Sequence, residues 1–266
     1  MTPVNPLLAM SRVMEPNVLI FDIETTPMLS WHWRCYDENI SPAQVVKEST
    51  VLCYAAKWLH SPLVAFGRKT GRSDRRVCKD LWTLFDRADI VVAHNGQAFD
   101  TKVMNSRWLL HGVQPPSPYK CVDTLRLAKA VGRFGINKLD YLGRYLKLGK
   151  KVEHEGFDLW LKCMRGDADA WARMEAYNIQ DTLLLEELYL KLRPWDKRHP
   201  NVGLMHADTG VLRCVSCGAA AVEPLKAGTA YTAAGVYPAF RCGACGKVMR
   251  SRTRDKRGDY GVANTL

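Results

Sequence analysis

Three widely separated segments of the chain place carboxylates where a strand or a helix should end. They are residues 21–26 (FDIETT), residues 94–100 (HNGQAFD) and residues 177–181 (YNIQD). Asp22 and Glu24 lie two positions apart on an apolar run, so on a strand both carboxylates project from the same face. Hard divalent cations prefer carboxylate oxygens, so this pair predicts a metal site.

The other two segments add ligands of the same kind. Tyr177 and Asp181 are four residues apart in a helical stretch, so a phenol and a carboxylate point the same way from adjacent turns. Asp100 opens a predicted helix after a predicted strand at residues 89–93, at the end of a strand where open α/β sheets carry their sites. Four converging carboxylates cannot all stay ionised without cations, and two Mg²⁺ or Mn²⁺ ions would neutralise them.

The three segments resemble the Exo I, Exo II and Exo III motifs of the DEDD exonucleases, which have an RNase H-like fold. Tyr177, four residues before Asp181, matches the DEDDy form, whereas the DEDDh form would need histidine at position 176, where this chain has Ala176. The chain is therefore similar to the proofreading domains of family B polymerases over roughly residues 17–195. The remainder is too short for a polymerase palm or thumb, so the resemblance implies a free-standing nuclease or a separate subunit.

The resemblance also implies roles for individual residues. Asp22, Glu24 and Asp181 would ligate the metal that activates water, and Asp22 would share the second metal with Asp100. Tyr177 would orient the attacking hydroxide. The implied contacts to the terminal nucleotide are Thr25, Thr26, Met28, Asn95 and Phe99, with Phe99 packing beneath it.

Two basic segments are candidates for phosphate contacts. The loop at residues 133–138 mixes basic, aromatic and glycine residues, and its Arg133, Phe134 and Lys138 are predicted to bind substrate because a strand end needs both charge and a stacking surface. The second candidate is the basic run before the first predicted helix, with Arg68, Lys69, Arg72, Arg75 and Arg76.

A cysteine quartet lies near the C-terminus. Cys214, Cys217, Cys242 and Cys245 give the pattern C-x2-C-x24-C-x2-C, with a glycine after each pair. Four thiolates favour one tetrahedral, structural Zn²⁺, and the module resembles a zinc ribbon. We expect its partner to be nucleic acid, or alternatively a replication or repair protein.

The pattern of elements predicts an α/β fold, an RNase H-like mixed sheet flanked by helices, with the zinc ribbon as a separate small module. Strands are expected at residues 18–23, 31–36, 51–58, 62–66, 89–93 and 121–124, and helices near residues 77–85, 99–111, 125–131, 137–148 and 167–192. Asp123 is expected to cap a helix rather than to bind metal. The predicted divisions are an extension (1–16), the nuclease domain (17–195), a linker (196–210), the ribbon (211–250) and a basic tail (251–266).

Charge and cysteine usage indicate the kind of binding partner and the cellular compartment. The net charge of +11 favours a polyanionic partner, and from residue 196 onward 11 Lys and Arg stand against 5 Asp and Glu. No apolar run reaches the roughly 18 residues of a membrane helix, and paired cysteines favour metal in a reducing compartment. We therefore expect a protein of the cytoplasm, in a bacterium or a phage-infected cell.

Three functions fit these observations. The first is a metal-dependent 3′–5′ exonuclease that releases nucleoside monophosphates from single-stranded or frayed DNA ends. The second differs only in acting on RNA, since readout of the 2′-hydroxyl is not visible in a sequence. The third is a nucleic-acid-binding adaptor in which the nuclease fold is only a scaffold.

Overall fold

The computed structural model describes residues 15–36, 38–150, 155–206, 210–233 and 235–255. These residues form two compact units, one over residues 17–189 and one over residues 190–255 together with Glu15 and Pro16. Most of the predicted N-terminal extension and of the predicted basic tail lies outside the described residues. The functional divisions expected from the sequence remain predictions.

The first unit contains a central sheet and helices on both of its faces. Its strands are β1 (Val18–Thr25), β2 (Leu29–Ser30), β3 (Val45–Lys47), β4 (Val51–Trp58), β5 (Ala65–Arg68), β6 (Ile90–Ala93) and β7 (Lys120–Asp123). Its helices are α1 (Arg75–Phe85), α2 (Asp100–Leu110), α3 (Thr124–Val131), α4 (Leu139–Tyr145), α5 (Phe157–Arg165) and α6 (Ala168–Leu192). The last three residues of α6 belong to the second unit.

The sheet has the strand order β5-β4-β1-β6-β7. β4 pairs antiparallel with β1 and β5, whereas β1 and β7 run parallel to β6. The sheet is therefore mixed and flanked by helices, which confirms the predicted fold class. β1 pairs with β6 only at residues 18–20 but continues along β4 as far as Thr25. The half of β1 that carries Asp22 and Glu24 thus extends past the end of β6.

Alternation along β1 decides which face those carboxylates occupy. Leu19, Phe21 and Ile23 are buried in a core that includes residues of α1 and α2. Phe21 packs edge-on against Phe85, with ring centroids 4.8 Å apart. Because side chains alternate along a strand, Asp22 and Glu24 project from the opposite face.

The opposite face is covered by α5 and α6. A second core joins β4 to these helices through residues such as Leu52, Leu159 and Met174. A row of α6 side chains at four-residue spacing fixes the rotation of the helix: Asn178 bonds to β1, Thr182 to the carbonyl of Ala55, and Glu186 forms a buried ion pair with Lys57. The neighbouring row, Tyr177 and Asp181, is thereby held toward β1.

Several element predictions need correction. The aromatic residues 31–36 do not form a strand, because the N–H groups of Trp33 and Arg34 both donate to the Glu38 carboxylate at 3.0 Å. The strand expected at residues 62–66 is Ala65–Arg68, and the helix expected at residues 137–148 is Leu139–Tyr145. α5 was not predicted. Asp123 caps α3 as expected, since its side chain accepts from the N–H groups of Leu125 and Arg126.

The second unit is built around a three-stranded antiparallel sheet. Its strands are β8 (Val222–Thr232), β9 (Gly235–Cys242) and β10 (Val248–Arg250), in the order β10-β9-β8. Short 3-10 turns at Arg193–Trp195 and Val202–Leu204 precede the sheet. Across the described parts of both units, no helix has the length and apolar character needed to cross a membrane.

Candidate active site

Two of the three predicted segments and part of the third meet at one cleft of about 780 Å³ in the first unit, which we call the carboxylate cleft. β1 contributes Asp22 and Glu24, and α6 contributes Tyr177 and Asp181. The turn after β6 contributes His94 and Asn95, and the opposite wall is formed by residues 135–140 with Leu125 and Lys129.

The Tyr177 phenol lies close enough to three carboxylates for their charges to shift its pKa. It is hydrogen-bonded to Asp181 on the next turn of α6. Burial raises the pKa of Tyr177 well above its usual value, and the charges of Asp181, Glu24 and Asp22 raise it further. Three carboxylates from two elements therefore act on one hydroxyl, which stays protonated at neutral pH and serves as a hydrogen-bond donor.

Asp100 lies beside this group but does not line the cleft. Its side chain is buried at the first position of α2, and it accepts hydrogen bonds from its own N–H and from the N–H of Ile23. Ile23 is the residue between Asp22 and Glu24, so Asp100 lies against β1 next to both. Burial raises the pKa of Asp100 to about 7, with Asp123 adding to the effect.

These four side chains have the chemistry of a divalent-cation site. Carboxylate oxygens suit Mg²⁺ and Mn²⁺, and a cation relieves the mutual repulsion of clustered carboxylates. Among the described residues, no three of the four have oxygens that all lie within 4.8 Å of one another. An ion bound by three of these carboxylates would therefore require their side chains to draw closer when it binds.

Asn178 contributes a contact that the sequence analysis did not assign. Its amide Nδ2 donates to Asp22 Oδ2 at 2.7 Å, and the residue is fully buried. Its backbone carbonyl accepts from Thr182 Oγ1 at 3.0 Å. The sequence carries one signal for this contact, an amide side chain directly after Tyr177. On a helix, that position is rotated from Tyr177 so that it faces the sheet.

If Asp22 is a metal ligand, as the sequence predicts, replacing the Asn178 that hydrogen-bonds it should weaken metal binding without removing a ligand. We expect Asn178→Leu to raise the Mg²⁺ concentration needed for half-maximal activity by about 10- to 100-fold, the usual cost of losing a residue that orients a metal ligand. Activity measured against Mg²⁺ concentration tests this, with the exposed Asn105→Leu as the matched control. An unchanged Mg²⁺ requirement would show that Asn178 does not position Asp22.

The turn between β6 and α2 is rigidly held. The ring nitrogens of His94 contact Thr124 Oγ1 and the carbonyl of Asn137, each at 2.9 Å. Asn95 has a positive φ of 69°, and its N–H donates to Asp123 Oδ1 at 3.0 Å. A Cβ at Gly96 would come within 2.4 Å of the Ala93 Cβ, so only glycine fits there. This turn presents Asn95 to the cleft and starts α2 at Asp100.

The remaining predicted substrate contacts divide into two groups. Asn95 and Lys138 line the carboxylate cleft. Among the described side chains, Arg133, Phe134 and Phe99 are not part of its lining, and Phe134 packs instead edge-on against Tyr145 at 5.5 Å. Met28 is 46% exposed.

Thr25 and Thr26 line a neighbouring concavity of about 350 Å³ with Pro27, Gly156, Phe157 and Trp160, which we call the aromatic recess. The Trp160 ring packs edge-on against the Tyr177 ring at 6.0 Å, so the recess adjoins the phenol of the cleft. Phe157 and Trp160 were missed because α5 was missed. The signal that could have found them is an aromatic pair at i, i+3 after Gly156.

The sequence model of the RNase H superfamily matches residues 19–193 of this chain. The chain belongs to the RNase H superfamily. Proteins of this superfamily are generally nucleases that use divalent metal ions, so membership places the chain among the nucleases that process nucleic acids.

The solved structures agree with this fold. The RNase H superfamily chain is similar to the family B DNA polymerase of the hyperthermophilic archaeon Pyrobaculum calidifontis, with a TM-score of 0.53 and 20% sequence identity. The similarity covers 72% of this chain but only 26% of that polymerase. No curated protein matches the RNase H superfamily chain in sequence.

The four cysteines of the second unit of this RNase H superfamily chain form one cluster. Their sulfurs all lie within 4.8 Å of one another, with Cys214–Cys245 and Cys217–Cys242 contacts of 3.6 Å. The glycine after each pair, Gly218 or Gly246, has a positive φ and donates its N–H to the carbonyl of the first cysteine of that pair. The cluster can hold a metal ion, as a zinc module requires.

Asp74, Cys78 and His111 also bring donor atoms within 4.8 Å of one another. Here the carboxylate is already occupied, because Arg107 donates to both Asp74 oxygens at 2.7 Å and His111 donates at 2.8 Å. Burial raises the pKa of the Cys78 thiol to about 12, so it is not a thiolate at neutral pH. We interpret this cluster as a structural set of contacts that connects α1 to α2.

Proposed function

We propose that this chain is a metal-dependent 3′–5′ exonuclease of the DEDDy type that hydrolyses phosphodiester bonds at DNA 3′ ends and releases nucleoside monophosphates. The observation that carries the proposal is the carboxylate cleft, where Asp22, Glu24 and Asp181 act together on the Tyr177 phenol. Carboxylates without cations would repel a phosphate, so a cleft lined by them is poorly suited to binding a strand alone. With bound cations and a protonated phenol, the same cleft is suited to hydrolysis of a phosphodiester.

The donor set fits two Mg²⁺ or Mn²⁺ ions. We infer that Asp22, Glu24 and Asp181 hold one ion and that Asp22 and Asp100 hold the other. When bound, the ions supply a water of lowered pKa and charge stabilisation for the departing 3′ oxygen.

Side chains around the carboxylate cleft position the attacking water, the metal ligand Asp22 and the nucleic-acid strand. The Tyr177 hydroxyl donates to Asp181, and its oxygen can accept a hydrogen bond from the attacking water and so orient it toward phosphorus, while Asn178 holds Asp22 in place. Lys138 and Lys129 on the opposite wall offset the negative charge of the strand entering the cleft. Asn95 lies where it can donate to the terminal nucleotide.

The aromatic recess is suited to the terminal base. Its walls combine two threonines of the Exo I segment with the rings of Phe157 and Trp160. Aromatic rings bind any base by stacking, which suits an enzyme that must remove every nucleotide.

Loss of that surface should impair substrate capture more than chemistry. We expect Trp160→Ala to raise KM for a single strand by about 10-fold, because one base–aromatic stack is worth roughly 1–3 kcal/mol, with a smaller change in kcat. Steady-state kinetics on an oligonucleotide measure both, and the exposed Trp33→Ala is the control. A fall in kcat alone would argue against a role in base binding.

The experiment that tests the function uses end-labelled strands. A 5′-labelled single-stranded DNA incubated with Mg²⁺ should shorten one nucleotide at a time, a 3′-labelled strand should release labelled mononucleotide from the start, and EDTA should stop both reactions. A ladder on RNA alone would favour the exoribonuclease alternative. If both DNA and RNA strands stay intact in Mg²⁺, the chain is not a nuclease and the alternative of a nucleic-acid-binding adaptor is favoured.

For the second unit we propose one structural Zn²⁺ held by Cys214, Cys217, Cys242 and Cys245, in the manner of a zinc ribbon. Its excess of basic residues favours contact with nucleic acid, and a replication or repair protein is the alternative partner. Cysteines held free for metal suit the reducing cytoplasm, where we place the protein.

A further inference from the structure

A third concavity of the first unit, of about 350 Å³, is lined by cations. Lys47 of β3, Lys69 after β5, Arg72 and Arg165 at the end of α5 all contribute to its wall, together with Thr26 and Trp171. Among the described residues, no acidic side chain is part of this lining. We call it the basic pocket.

Within the described parts of the chain, none of the four cations of the basic pocket forms an ion pair. Burial lowers the pKa of Lys69, and the charge of Lys47 lowers it further. Asp74 acts on Lys69 in the opposite sense, but its carboxylate is already bonded to Arg107 and His111. Like charges gathered around a concavity favour an anion within it.

The basic pocket is tied to the active site through its neighbours. Lys69 Nζ donates to Thr50 Oγ1 at 3.0 Å, and Thr50 is bonded to Thr26 through both backbone and hydroxyl groups. Thr26 lines the aromatic recess as well as the basic pocket. An anion held by Lys69 would therefore lie close to the end of β1, a few residues from Glu24.

Trp171 also lines the pocket, but it is only 8% exposed, and the Arg68 guanidinium lies over its indole ring at 5.1 Å. Because the ring is covered, the cations are the groups that a ligand of the pocket would contact. A phosphate group, whether part of a strand or of a free nucleotide, would bind through these cations.

We propose that the basic pocket holds a phosphate group of the nucleic-acid strand whose 3′ end occupies the carboxylate cleft. This inference rests on the proposed function and adds a binding site to it. Its cations contribute affinity for the strand and take no part in bond cleavage.

The test removes Arg72 and Arg165, whose side chains form no hydrogen bond to another described residue. The double variant Arg72→Gln/Arg165→Gln is compared with Lys79→Gln/Lys102→Gln, which loses the same charge from exposed positions of α1 and α2. Affinity for a fluorescent single strand is measured by anisotropy in EDTA over a range of salt concentrations. We expect about tenfold weaker binding for the first variant and a salt dependence shallower by about 0.7, the value for one lost phosphate contact.

The charge-preserving variant Arg72→Lys/Arg165→Lys should keep both affinity and salt dependence, which separates charge from folding. Equal losses in the two double-glutamine variants would overturn the proposal. Calorimetry with thymidine 5′-monophosphate gives the second arm: if Arg72→Gln/Arg165→Gln loses the mononucleotide but binds the strand normally, the pocket serves free nucleotide and the strand contact is wrong.

Hydrolysis of the p-nitrophenyl ester of thymidine 5′-monophosphate separates this inference from the proposed function. That ester has a single phosphodiester and should be cleaved equally by wild type and the Arg72→Gln/Arg165→Gln variant. If wild type cleaves neither the ester nor a strand, the proposed function fails, while the anisotropy data still decide whether the basic pocket binds phosphate.

Discussion

Replacement of Asp22 with asparagine is expected to lower the rate of 3′-end hydrolysis by about 10³-fold or more. Asp22 projects from β1 into the carboxylate cleft, and it is the carboxylate that we place between both metal ions. Asparagine keeps the shape and can still accept from Asn178, so the change removes charge with little loss of packing. A factor of about 10³ corresponds to roughly 4 kcal/mol of transition-state stabilisation, which is reasonable for a ligand shared by two ions.

The matched control is Asp169→Asn, the same chemical change at an exposed position in the first turn of α6. It should leave the rate unchanged. Strand binding by Asp22→Asn should be retained or strengthened, because one of the carboxylates that repel phosphate is gone. A variant that still shortens strands at the wild-type rate would remove Asp22 from the mechanism.

The second large effect is expected in the cysteine cluster. Cys214→Ser/Cys217→Ser should lose bound zinc and with it the fold of residues 196–255, because a structural Zn²⁺ supplies on the order of 10 kcal/mol of folding free energy. The described part of this unit has few large buried apolar side chains, among them Val202, so it lacks an alternative core. Metal analysis and amide NMR dispersion measure the two losses.

Cys35→Ser is the control, since Cys35 is exposed and lies outside the cluster. It should retain one zinc ion and a wild-type spectrum. Wild-type protein without stoichiometric zinc, or a double variant whose amides remain dispersed, would contradict a metal-dependent fold for this unit.

The parts of the fold that could be predicted from sequence depend on strong local periodicity. Alternation along residues 18–25 placed Asp22 and Glu24 on one face, and the four-residue spacing of Tyr177 and Asp181 placed both on one side of α6. The capping preference of aspartate was enough to assign Asp123. In each of these cases backbone geometry alone determines where the side chain points.

Sequence reasoning reaches its limit at residues whose conformation or role is determined by a tertiary contact. The aromatic residues 31–36 have strand propensity, but backbone bonds to Glu38 hold two of them in a loop. Phe134 belongs to a loop with the composition of a stacking surface; its ring packs against Tyr145, and its contact with substrate stays a prediction. Asn178 could not be assigned because its role depends on which β1 side chain lies opposite. The basic pocket joins Lys47, Lys69 and Arg165 from distant parts of the chain, a grouping that spacing does not reveal.

We propose that carboxylates from β1, α2 and α6 hold a pair of cations. Electron paramagnetic resonance of bound Mn²⁺, recorded with nucleoside 5′-monophosphate present, tests it most directly. We predict two Mn²⁺ ions per chain with the spin coupling expected for a separation of roughly 3.5–4 Å, and loss of that coupling in Asp22→Asn. Uncoupled Mn²⁺, or binding that Asp22→Asn leaves intact, would contradict the account.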